Sequence, residues 1–158
     1  MASKTAIPTE TRTKTRFEYW QAGLLGGVGG GLAFGVLMTM AMQPIIEMAI
    51  PGMYGLGPSL AVGWAIHMFH SVILGVGFAI LIRTTGLEDR LGSNFTVAVA
   101  GLAYGVVLWL VLASFVMPAW VGVMTEMTPP VPDWSGQSLM GHAVYGVILG
   151  LLYALLAR

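Results

Sequence analysis

The sequence predicts an all-α polytopic membrane protein: four transmembrane helices built from a duplicated two-helix hairpin, the copies arranged as parallel repeats. Three observations predict it. Only 9% of the 158 residues are charged and 56% are hydrophobic, whereas a soluble domain carries about 25% charged residues. The apolar residues gather into four stretches, each long enough to cross a hydrocarbon core of roughly 30 Å, which takes about 20 residues of helix. The two halves of the chain also match one another at glycine and histidine positions.

Composition excludes several classes at once. The formal net charge is zero and no basic patch is present, so a nucleic-acid partner is excluded. Cysteine is absent, which removes disulfides, thiolate metal sites and thiol nucleophiles. No phosphate-binding glycine motif precedes a helix, and the run Gly26-Gly27-Val28-Gly29-Gly30-Gly31 lies inside an apolar segment, so no nucleotide partner is expected.

Each element has its own signals. Residues 1–16 are polar, carry Lys4, Arg12, Lys14 and Arg16, and read as a disordered cytoplasmic tail; 17–158 form one transmembrane domain. The first span covers about 20–43, opens on the interfacial pair Tyr19 and Trp20, and continues towards Ile50 beyond a kink at Pro44. The second span covers about 59–82. The third covers about 95–117 and ends at Pro118; the fourth covers about 135–157. All seven Lys and Arg fall in the tail, in the loop holding Arg83 and Arg90, and at Arg158. The positive-inside rule therefore sets both termini in the cytoplasm, with the protein spanning the plasma (inner) membrane.

The internal match pairs Gly31-Leu-Ala-Phe34-Gly35-Val36 with Gly101-Leu-Ala-Tyr104-Gly105-Val106. It also pairs the helix containing His67, Ser71 and Gly75 with that containing His142, Gly146 and Gly150. Two like-oriented hairpins imply a pseudo-two-fold axis along the membrane normal, with His67 and His142 at one depth. Gly23, Gly27, Gly31 and Gly35 recur every fourth residue, as do Gly63, His67, Ser71 and Gly75. Such small-residue faces pack helix on helix, so both imidazoles are expected to point into the bundle. The packing set is Gly23, Gly27, Gly31, Gly35, Gly75, Gly101, Gly105, Gly146 and Gly150.

Intramembrane histidines mark where function is sought. One reading is a hydrogen-bonded cluster near the outer face that fixes helix register, with Thr39, Gln43, Glu47, Ser71 and Tyr145 around the imidazoles. A second is a cofactor site: His67, His142 and His70 as haem b ligands, or His67, His142, Glu47 and Met68 around a soft metal such as copper. Apart from Met1, every methionine (Met38, Met40, Met42, Met48, Met53, Met68, Met117, Met124, Met127 and Met140) lies in the outer half or its loops. Thioethers suit Cu(I), and they also fill irregular packing. A third reading is an oligomeric conduit for protons or a small solute, in which the histidines titrate. No catalytic motif is present: no serine lies in a G-x-S-x-G elbow and there is no H-E-x-x-H.

The run GLAYGVVLWLVLASFVMP, the Pro- and Trp-bearing loop after it, and Ser138-Leu-Met-Gly141-His142 resemble the YagU-like inner-membrane family and related small four-helix proteins. The glycine-rich first helix and the His67, Ser71, Gly75 segment fit as well. The resemblance covers about residues 20–155. It implies a four-helix inner-membrane protein and supplies no biochemistry. Helix 3 departs from the pattern: Val111 and Ala113 stand where an intramembrane histidine is expected near the VLWL run. The expectation is a non-enzymatic accessory or structural component of the lipid bilayer, alone, as a homo-oligomer or within a larger membrane complex.

Overall fold

A computed structural model describes residues 17–87, 90 and 92–157; the tail assigned to 1–16 lies outside them. Four long helices are present: α1 (Tyr19–Ala41), α2 (Leu60–Thr84), α3 (Asn94–Met124) and α4 (Gly136–Ala157). Each is long and apolar enough to cross a membrane, and the described residues contain no strand.

The helix starts follow from local chemistry. The Glu18 backbone N–H donates to Gln21 Oε1 at 3.0 Å at the head of α1. Ser59, Ser93 and Ser135 cap the other three, each hydroxyl accepting an N–H three residues on, at 3.2–3.3 Å. Gly86, with φ of 64°, follows α2 in the left-handed region that closes helices. The Arg83 and Arg90 side of the bundle is the basic end. The opposite side holds Trp120, Trp134 and the segment after α1, and is the tryptophan end.

Prolines shape the tryptophan end. α1 stops at Ala41, Met42 leaves helical geometry (φ −142°, ψ 39°), and a short helical segment, 45–52, turns across the bundle. Continuation beyond Pro44 is thus present, as a separate segment. Pro118 does not end the third span, contrary to expectation: α3 runs on to Met124. The reason is the wide, π-type turn of Trp109–Val116 just before it, which makes room for a ring that lacks an N–H. The Ser114 carbonyl, four residues before Pro118, accepts instead from the Asp133 N–H at 2.8 Å. The Glu47 carbonyl, four residues before Pro51, accepts likewise from the Ser59 N–H at 2.8 Å. Each proline frees one carbonyl, and the returning chain takes it up.

The helices pack in the order α2–α1–α4–α3. The α1 glycines serve two neighbours. A Cβ added at Gly27 would lie 2.5 Å from the Ser71 carbonyl oxygen and 3.2 Å from Gly75 Cα on α2. One added at Gly26 would lie 2.9 Å from the Leu149 carbonyl oxygen on α4, and one at Gly30 2.7 Å from that of Tyr145. Gly35 gives room to the Trp64 ring. Within the second hairpin, Gly101 meets Gly146 and Gly150, and Gly105 meets His142 and Gly146. These contacts set Gly27 opposite Gly75 as Gly101 is set opposite Gly150. The contact correspondence is therefore one helical turn away from the sequence match of Gly31 with Gly101.

A two-fold axis would also pack α2 on α3 as α1 packs on α4. The bundle departs from it: α1 and α4 join along their length, whereas α2 and α3 do not. Towards the basic end the space between α2 and α3 is filled. Phe78 stands 5.3 Å from Tyr104 and 5.7 Å from Tyr153, ring centre to ring centre, and the Tyr104 hydroxyl donates to the Leu74 carbonyl at 2.9 Å. Towards the tryptophan end it stays open.

Candidate functional site: a methionine- and histidine-lined cavity

The opening between α2 and α3 is a cavity of about 790 Å³. Its walls are apolar for the most part. Phe34, Leu108, Leu112 and Ile73 come from the long helices, and six methionines, Met38, Met42, Met48, Met53, Met117 and Met127, surround it. Six of the ten methionines gathered in the outer half thus line one space, while Met40, Met68, Met124 and Met140 do not. Unbranched thioether chains suit such a wall because they adjust their shape.

All three histidines line this cavity. The Phe34 ring stands against both His67 and His142, centroids 5.5 and 4.7 Å away. Both lie on inward faces, His67 buried and His142 half-buried. His67 Nε2–H donates to the Gly31 carbonyl at 2.9 Å, with Ser71 Oγ 3.5 Å away. His142 Nδ1–H donates to the Ser138 carbonyl one turn back, at 2.8 Å. A carbonyl only accepts, so each neutral ring has its proton on that nitrogen and presents the other, Nδ1 of His67 and Nε2 of His142, as an acceptor. His70 Nε2 shares a hydrogen bond of 2.6 Å with the Tyr54 hydroxyl, and Tyr54 in turn stands 5.5 Å from Trp120. At the floor the buried Tyr145 hydroxyl donates to the Ser71 carbonyl at 2.7 Å.

The remaining members of the expected polar cluster lie elsewhere. Thr39 donates to the Gly35 carbonyl at 2.9 Å and accepts from Trp64 Nε1 at 3.1 Å, on the α1–α2 seam. Gln43 and Glu47 pair with one another at 2.8 Å instead of reaching the histidines. The break at Met42 separates them from the line of α1 glycines.

The four residues expected around a soft metal do not come together. Among the described residues, no three of His, Cys, Asp and Glu stand close enough to hold a metal ion. Of the set His67, His142, Glu47 and Met68, Glu47 is bound to Gln43 and Met68 packs at Gly31 on the α1–α2 seam. For a bis-histidine haem the fit is also poor. The Nε2 of His67 is spent on Gly31, and the Phe34 ring stands against both imidazoles.

Several site residues escaped sequence reasoning. Phe34 and Tyr104 belong to the matched segments and could have been singled out there. Gly141 carried a signal too: the Phe34 ring occupies the place of its Cβ. Comparisons with protein-family models, with curated proteins and with solved structures find no match.

Proposed function

We propose that the protein is a four-span, non-enzymatic component of the plasma (inner) membrane, with both termini cytoplasmic, that receives a membrane-soluble apolar molecule in the cavity between α2 and α3. The cavity carries this reading. Its volume of about 790 Å³ falls in the range of small-molecule sites, roughly 300–1,000 Å³, and it shares their character of apolar walls with a few convergent polar groups. The positions of Arg83, Arg90 and the tail cations support the orientation, which puts the cavity in the outer half. Membership of the YagU-like family, and of a homo-oligomer or larger complex, belongs to the same proposal.

The conduit reading has less support, because Phe78, Tyr104 and Tyr153 fill the bundle below the cavity. Binding is tested with a neutral, polarity-sensitive dye and the purified chain in mild detergent. The expected result is saturable binding with a blue shift. Ala113, on the cavity wall, is the site to block: Ala113→Trp is expected to abolish the signal while helicity persists. Dye partition no greater than into empty micelles refutes the reading.

A further inference from the structure

The cavity's charge is one-sided. Two carboxylates, Glu126 and Asp133, line its mouth at the tryptophan end. The Lys and Arg among the described residues, Arg83 and Arg90, both lie at the basic end. Trp120 lines the same mouth, and an indole face attracts cations. Deeper in, the histidines add acceptors of the same preference, since their N–H groups are already committed to Gly31 and Ser138. Among the described residues, the lining offers carboxylates, an aromatic face and imidazoles, and no Lys or Arg to receive an anion.

Resting on the reading of the cavity as an apolar binding site, we infer that its ligand class is the lipophilic cation: an apolar body that fills the methionine-lined space and a positive, amine-type head held at Glu126, Asp133 and Trp120. The depth of the open region fits such a molecule better than a partner helix. The Tyr104–Leu74 and Tyr145–Ser71 hydrogen bonds close the floor, so an occupant reaches only part of the way through the bundle. Because α2 and α3 do not pack along their length, the way in lies between them.

The test uses two probes of like shape and opposite charge, tetraphenylphosphonium and tetraphenylborate, on the full chain in neutral detergent, with partition into empty micelles subtracted. Tetraphenylphosphonium is expected to bind at least about tenfold more tightly. The double substitution Glu126→Gln with Asp133→Asn is expected to remove most of that preference. Equal binding of both probes, or tighter binding of the borate, overturns the inference, and needs no variant to be read. So does a preference unchanged in a folded double variant. Binding of the neutral dye without charge preference overturns the ligand class alone. Failure of every probe, dye included, overturns the cavity reading itself.

Discussion

Replacing Gly27 by alanine tests the packing argument most directly. The added Cβ would stand 2.5 Å from the Ser71 carbonyl oxygen and 3.2 Å from Gly75 Cα. Carbon–oxygen contacts between helices settle at about 3.3–3.6 Å, so α1 and α2 must part by roughly 0.8 Å at that level. Both neighbours are backbone and cannot swing aside. A gap of that size forfeits about a quarter to a half of the dispersion energy along the seam, and overpacking of this kind costs about 1–3 kcal/mol. The same movement stretches the 2.9 Å bond from His67 to Gly31 beyond useful length, for about 1 kcal/mol more. Against this, alanine favours the helix by about 1 kcal/mol. The net expectation is a loss of about 2 kcal/mol, or a fall in melting temperature of about 4–8 °C, followed by far-UV circular dichroism in mild detergent. Gly57 is the control, since nothing lies within 4 Å of its Cβ position. If Gly27→Ala melts together with Gly57→Ala, the account of the α1–α2 seam is wrong.

Three further outcomes are expected. Tyr145→Phe removes the buried 2.7 Å bond to the Ser71 carbonyl and should cost about 1 kcal/mol, lowering the melting temperature by about 2–4 °C; an unchanged melt would show that the bond contributes nothing. Pro118→Ala returns an N–H to α3 that competes for the Ser114 carbonyl, so the Asp133 amide should exchange with deuterium about fivefold faster; equal protection would count against the proline account. Because the chain has no cysteine, single-cysteine variants report topology without background. Thr128→Cys should react with an impermeant maleimide on intact cells and Thr85→Cys only after permeabilisation, and the reverse pattern would invert the proposed orientation.

The four helices were legible because their signal is one-dimensional: run length and scarce charge. The inward placement of His67 was legible for a similar reason, since Gly63, Ser71 and Gly75 mark its face. The cavity was not. It exists because α1 and α4 join the hairpins while α2 and α3 stand apart, and pairing between hairpins leaves little trace in spacing. Attention to the line Gly23, Gly27, Gly31 and Gly35 also hid Gly26 and Gly30, the residues that admit α4. Glu47 misled because the helix already breaks at Met42, and beyond the break Glu47 pairs with Gln43. Pro118 misled because a proline commonly ends a helix, and the wide turn of Trp109–Val116 that absorbs it has no plain sequence mark.

The bonds from Asp133 to Ser114 and from Ser59 to Glu47 are made by main-chain atoms on both sides. What secures the two connections is therefore indifferent to side-chain identity and sensitive to one residue type. Any amino acid at 133 or 59 supplies the same N–H, except proline. The side chains around the cavity mouth are thereby free to diverge in charge and size while the backbone beneath them keeps its place, and binding preference can be retuned there without re-engineering the bundle.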